Sequence, residues 1–243
     1  MKTTVAVVLV AGVGSRLRPI TDDRPKALVD LGGETILGRT VRLLADYGVR
    51  KIVLATGYRE DAVRRAMQDA PLAVEYCRNP AFDRTQNSVS LALCRQALGS
   101  DAFFKLDGDV VFQRQVLERL DASSSELAVA VDAGRMVDAE AMKVTVRGAD
   151  IRAFGKGIDL AASAGESIGI ERIAAEASTT LFDALEAAVA RGETGLYYED
   201  VYSLLIDQGK LRAGVVPVAD LPWTEVDDFA DLERARELVG RGA

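Results

Sequence analysis

Six consecutive apolar residues, Val5 to Val10, run directly into Ala11-Gly12-Val13-Gly14-Ser15-Arg16-Leu17, and Pro25-Lys26-Ala27-Leu28 comes shortly after. A β-branched run of this length reads as a buried strand and is too short to cross a membrane. Two glycines at its end let the backbone approach an anion closely. The free amides of such a turn, with the positive end of a following helix, can cradle a phosphate. Arg16 and Lys26 supply neutralising charge. Two other phosphate-binding designs fit poorly. A dinucleotide fold needs a third glycine where Leu17 stands, and a P-loop needs Gly-Lys followed by Ser or Thr, which is absent.

Beyond this opening, short β-branched runs alternate with amphipathic segments. The spacing predicts strands at Lys51 to Ala55, Ala73 to Cys77, Ala102 to Leu106 and Glu126 to Val131. It predicts helices over Ile36 to Tyr47, Glu60 to Gln68 and Ser88 to Ala97. That order implies an α/β fold, a Rossmann-like, mostly parallel sheet flanked by helices. From about Met142 the pattern changes to a strand at Lys143 to Arg147, a glycine-rich stretch and a strand near Ser167 to Glu171. Helices are predicted over Thr180 to Ala190, Asp200 to Asp207 and Phe229 to Leu238. This reads as a small extension, so residues 1–243 are expected to form one domain, with a first part to about residue 140 and a second from about 141 to 243. Ligands in such sheets bind beyond the carboxyl ends of the strands, which singles out the residues after Val10 and Leu106.

A formal charge of −7 opposes binding to a nucleic-acid backbone, so an anionic ligand must be met locally. Arg16, Arg18, Arg24 and Lys26 cluster to do this. The absence of histidine argues against a zinc site, and Cys77 and Cys94 form no C-x-x-C pair and read as reduced structural thiols. The opening run lacks a signal peptide's cleavage region, so a cytoplasmic, membrane-free location is expected.

Three further segments carry chemistry. Lys105-Leu106-Asp107-Gly108-Asp109-Val110 puts carboxylates at a strand end, where magnesium would meet carboxylate and phosphate oxygens together, although Asp107-Gly108 is also an ordinary turn pair. Trp223-Thr224-Glu225-Val226-Asp227-Asp228 brings more acids, of which Asp227 or Asp228 could cap the helix after it. Asn79-Pro80 and Thr85-Gln86-Asn87-Ser88 precede a helix. Side-chain amides there could read a base edge while Ser88 caps the helix.

The opening segment resembles the signature of the nucleoside-triphosphate transferase superfamily that makes nucleotide sugars, Leu-Ala-Ala-Gly-x-Gly-Ser/Thr-Arg-Leu with a downstream Pro-Lys, with Val10 in place of alanine. The acidic segments match that superfamily's middle and late motifs, so the resemblance runs from Val5 to about Leu238. It implies catalytic roles for Lys26 and Arg16 on the triphosphate. It implies nucleotide contacts from Leu9, Ala11, Gly12, Gly14, Ser15, Gln86, Asn87, Ser88 and Asp107, and Mg2+ held by Asp109 and Asp227.

The Thr85–Ser88 segment, Phe154-Gly155-Lys156-Gly157 and the Gly165–Ile170 stretch resemble the small-acceptor cytidylyltransferase branch, whose members act on phosphocholine, inositol phosphate or phosphonates. That likeness implies CTP and a small phosphate- or phosphonate-bearing acceptor as partners. Lys156, Glu166, Tyr198, Glu199 and Trp223 would lie around the acceptor, although Glu199 and Asp200 could equally be first-turn helix acids. The alternatives are a sugar-1-phosphate nucleotidyltransferase and a non-catalytic nucleotide sensor. For a dehydrogenase the chain lacks both the third glycine and an obvious acidic ribose partner in the expected place. Oligomeric state is left open.

Overall fold

The glycine-terminated apolar run forms strand β1 (Val5–Leu9) in a computed structural model that describes residues 2–134 and 137–240. The chain continues through α1 (Ile36–Tyr47), β2 (Lys51–Thr56), α2 (Glu60–Ala66), β3 (Ala73–Arg78), α3 (Asn87–Ala92), α4 (Arg95–Leu98) and β4 (Phe103–Asp107). Next come β5 (Val110–Val111), α5 (Gln115–Ala122), β6 (Leu127–Asp132), β7 (Lys143–Arg147), β8 (Asp150–Gly155) and β9 (Gly165–Ile173). The last elements are α6 (Ala175–Ala190), α7 (Tyr198–Asp207), β10 (Ala213–Pro217), β11 (Thr224–Glu225) and α8 (Phe229–Gly240).

Nine strands form one sheet in the order β3-β2-β1-β4-β9-β6-β10-β8-β7, and β11 pairs separately with β5. β1 is parallel to both β2 and β4, and β10 is parallel to β6; β9 runs antiparallel between β4 and β6, and β8 antiparallel to β10. The α/β architecture expected from the sequence is therefore present, parallel from β3 to β4 and mixed from β9 onward, and strands from both parts of the chain share the one sheet.

Alternation along β1 explains why its run is apolar throughout. Ala6 and Val8 pack with Leu37, Val41 and Leu44 of α1 and with α5 on one face, whereas Val5 and Val7 pack toward α6 and α7 on the other. Helix α1 starts where Thr35 Oγ1 accepts from the Gly38 N–H at 3.0 Å and ends at Gly48, whose φ of 113° suits glycine.

Several elements differ from the sequence expectation. The helix expected over Ser88 to Ala97 is divided, because the ladder tightens at Cys94, whose N–H reaches Leu91 O at 2.9 Å. Ser88 does not cap it: its Oγ donates instead to Leu196 O at 2.6 Å. Strands β8 and β10 were not foreseen. β8 carries charged Asp150 and Arg152 on exposed positions and runs into glycine, and β10 contains Gly214 and ends on Pro217. Among the described residues no helix is long and apolar enough to cross a membrane.

The topology reverses beside β1, and its register sets Leu9 opposite Asp107, so the glycine turn and the acidic strand end stand side by side. Gly108 makes that contact possible. Its N–H donates to Leu9 O at 3.0 Å, and a Cβ there would lie 2.5 Å from the same oxygen. Gly108→Ala is expected to cost about 1–3 kcal/mol in denaturant unfolding by forcing β1 and β4 apart. Unchanged stability would mean that the two strand ends are free to move.

Candidate active site

Gly14 turns the chain after β1 with φ 71°, and a Cβ there would lie 2.7 Å from Lys26 Cβ, so glycine is required both by conformation and by space. The turn leads into a three-residue 3-10 segment, Ser15–Leu17, and a second such segment spans Lys26–Leu28. The full helix end anticipated from the sequence is therefore absent. The positive groups gathered here are Arg16, Lys26 and the turn amides, and no N–H from Ala11 to Arg16 donates to a backbone carbonyl among the described residues.

Leu17, Val29, Leu31 and Ile36 pack with Val111, Val226, Leu232 and Ala235, fastening the loop to β5, β11 and α8. Each such fully buried aliphatic contributes about 1.5–3 kcal/mol, well beyond an exposed ion pair such as Arg18–Asp22, which is worth about 0–1 kcal/mol. Packing, not surface charge, holds the loop.

The loop brings Lys26 Nζ within 2.5 Å of Asp109 Oδ2 and 2.7 Å of Asp227 Oδ1, and Arg16 Nη2 within 2.8 Å of Asp227 Oδ2. Burial disfavours the Lys26 ammonium, but Asp109 and Asp227 together overcome it and raise its pKa. Asp227 likewise resists its burial cost, held below the usual carboxylate value by Lys26 and then Arg16. Asp228 takes the capping role. It accepts from Asp231 N–H at 2.9 Å, and Asp231 accepts from the N–H groups of Asp227 and Asp228, which leaves the Asp227 side chain for the site.

Glu225 joins them as a residue the sequence reading passed over. One carboxylate oxygen each from Asp109, Glu225 and Asp227 lies within 4.8 Å of the others, and Asp109 Oδ1 is buried without a hydrogen-bond partner. Three hard oxygen donors with one orphaned lone pair fit a divalent cation such as Mg2+. Glu225 pairs with Val110 across β5 and β11, and Val226 N–H donates to Asp109 O at 3.0 Å, so backbone bonds fix the carboxylate spacing. Although Glu225 is an exposed residue, desolvation of its carboxyl and then the charges of Asp109 and Asp227 push its pKa up to about 8. The signal was present in the sequence: Glu225 and Asp227 are two apart on an extended segment and share a face.

Arg16, Glu225 and Asp227 open onto a cleft of about 580 Å³, lined also by Asn87, Asp107, Lys156, Glu166, Glu199 and Trp223. Tyr197 lines it, whereas Tyr198, expected at the acceptor, is fully buried behind it and donates its hydroxyl to Asp107 Oδ2 at 2.8 Å. Asn87 Oδ1 is engaged by Tyr198 N–H at 3.0 Å, and Ser88 is buried. Gln86 binds through its backbone to Thr194 O at 2.9 Å. Leu9, Ala11 and Gly12 lie along the glycine turn beside the cations, with open space around Gly12.

Beneath the cleft floor, fully buried Lys105 lies 3.1 Å from Asp107 Oδ1 and 3.0 Å from Glu171 Oε2. Burial first, then the neighbouring acids, raise Glu171 to about 7 and Glu199 to about 8, against the pull of Lys105.

The family model described as "MobA-like NTP transferase domain" matches residues 6–208. The chain is 35% identical to CMP-5'-(3-aminopropyl)phosphonate synthase of Streptomyces rubellomurinus over 95% of its own length and 38% of the relative's. It is 36% identical to UTP–glucose-1-phosphate uridylyltransferase AglF of Haloferax volcanii, over 49% of this chain and 51% of that one. The chain thus spans about half or less of the length of these relatives. Its fold matches the inositol-1-phosphate CTP transferase from T. maritima with a TM-score of 0.84, at 23% identity, covering 100% of this chain and 98% of the other.

Between the ordinary glutamate value of 4.5 and the raised values of about 7 and 8, the folded chain holds protons on Glu171 and Glu199 that the unfolded chain has lost. Their contribution to stability is full below the unfolded value and falls as pH rises through the folded values. Melting temperatures taken from about pH 5 to about pH 8.5 should decline less steeply for Glu199→Gln than for the parent chain. Parallel slopes would remove Glu199 from the titrating group.

Proposed function

Because the chain belongs to the MobA-like NTP transferase domain family, a nucleotidyltransferase family, we propose that it transfers CMP from CTP to a small acceptor bearing a phosphonate or phosphate, releasing pyrophosphate. The observation that carries this reading is the meeting of Asp109, Glu225 and Asp227 with Lys26 and Arg16 at the glycine turn. The acceptor class rests on the aminopropylphosphonate relative, which matches 95% of the chain, whereas the glucose-1-phosphate relative matches 49%.

In this reading an acceptor oxygen forms a bond to the α-phosphorus of CTP in line as the bond to pyrophosphate breaks. The second ionisation of a phosphate monoester lies near pKa 6, so a phosphate acceptor arrives largely as a dianion, and a phosphonate carries at least one ionised oxygen, so no strong general base is needed. A chain without histidine can therefore perform the step. The protein's task is to bring anions together and hold them in line.

Lys26, kept protonated between Asp109 and Asp227, presents a fixed positive charge to the triphosphate. Arg16, 64% exposed at its side chain, is free to swing from Asp227 onto the β- and γ-phosphates. Asp109, Glu225 and Asp227 would hold Mg2+, which when bound supplies charge neutralisation at the α-phosphate. Asn87, at the cleft edge, faces the nucleotide side through the amide its Oδ1 does not occupy.

Pyrophosphate release is to be measured with magnesium across the four ribonucleoside triphosphates and a panel of phosphonates, inositol phosphate, phosphocholine and hexose 1-phosphates. Release with CTP and a non-sugar acceptor is the expected result. Release only with a hexose phosphate would move the chain to nucleotide-sugar synthesis, and silence throughout would favour a nucleotide sensor. Asp109→Asn should lower turnover by about 100-fold or more with the melting temperature retained. A folded, active Asn variant would remove Asp109 from the metal site.

A further inference from the structure

Three carboxylates share one lysine under the acceptor end of the cleft. Lys105 is taken up by Asp107 and Glu171, and its ammonium also sits 3.5 Å from the centre of the Tyr198 ring. Glu199 is 4% exposed, lines the cleft, and carries a buried Oε2 with no hydrogen-bond partner among the described residues. A buried carboxylate without its own cation is costly, and Glu199 meets that cost by keeping its proton toward about pH 8; a cation brought to its orphaned oxygen would let it ionise.

Among the described residues the cleft walls offer Glu199 no such cation. Each of the basic side chains lining the cleft already faces an acid: Arg16 faces Asp227, Lys156 faces Glu140 at 3.5 Å, and Arg234 faces Asp231. A ligand can bring that cation.

We propose that Glu199, with Glu166 on the adjoining wall, forms a subsite for a primary ammonium, so that the acceptor is a zwitterion with its phosphonate or phosphate at the Lys26 end. This rests on the proposed CMP transfer. A primary ammonium offers three donors to carboxylate oxygens, whereas a trimethylammonium group offers none and is taken up by open aromatic faces. The aromatic rings here are already engaged. Lys105 covers Tyr198, Lys156 lies 5.5 Å from the Tyr197 ring centre, and the buried Trp223 donates its indole N–H to Asp132 at 2.8 Å.

The test is calorimetric titration of the full chain, with CTP and magnesium present, using two matched pairs: 2-aminoethylphosphonate against 2-hydroxyethylphosphonate, and 3-aminopropylphosphonate against 3-hydroxypropylphosphonate. In at least one pair the amine should bind about 10- to 100-fold more tightly, the range expected for a charged hydrogen bond. In Glu199→Gln that ratio should fall below about threefold, with partial recovery in Glu199→Asp. Equal binding within both pairs, no binding of any probe, or a Glu199→Gln variant that weakens amine and hydroxyl alike would overturn the subsite. If that variant does not fold, the parent chain's ratio decides alone. Amine-selective binding without pyrophosphate release would leave the subsite standing and sink CMP transfer; equal transfer to amine and hydroxyl acceptors would do the reverse.

Discussion

A single ammonium ties together three stretches of chain that are remote in sequence. Lys26, from the loop after β1, is bonded at once to Asp109 beyond β4 and to Asp227, 201 residues away. These groups keep between 15% and 28% of their side-chain surface in contact with solvent, so the pairs are partly screened and their net contribution to stability is small. Their importance is geometric. The apolar cluster of Leu17, Val29, Ile36, Val226 and Leu232 supplies the cohesion, and the ammonium sets where the carboxylates stand relative to the glycine turn.

β4 connects this arrangement to a second one. Lys105 lies opposite Glu171 in the β4–β9 ladder, and Asp107, two residues on, shares its face and reaches toward the cleft. Gly169 permits the approach, since its φ of 72° and missing side chain leave room for the Asp107 carboxylate. The cleft therefore has two electrostatic ends. At one, cations outreach a set of carboxylates suited to a metal; at the other, carboxylates outnumber the cation available to them. A divalent cation held at the first end would turn it positive, and the anionic and cationic parts of one small ligand would then be sorted between the two.

Much of this was legible because local chemistry and tertiary role coincide. The boundaries of α1 follow from Thr35 at one end and Gly48 at the other, and β1 follows from an apolar run ending on glycine. Lys26, Arg16, Asp109 and Asp227 stood out because the glycine turn and the acidic segments follow apolar runs, where ligands meet such sheets, and the fold does bring these four together. β10 escaped notice because Gly214, which weakens any strand reading, fits a place where a Cβ would strike Ser125. Tyr198 was assigned to the cleft because sequence does not show which side of a helix faces inward when both sides are apolar. Glu171 and Lys105 lay inside apolar runs, where a charge without its cross-strand partner in view reads as incidental.

The two-residue ladder between β5 and β11 bears on how the molecule is made. The sheet from β3 to β1 consists of neighbours close in sequence, so it can assemble early. Glu225 and Asp227 join Asp109 only after more than a hundred intervening residues have found their places, a closure with a large loop-entropy penalty. The centre is thus complete only when the β11 segment has reached β5. A chain caught short of that event would hold a nearly complete sheet and no means of chemistry, and a partly folded molecule would be kept from acting on triphosphate by its own topology.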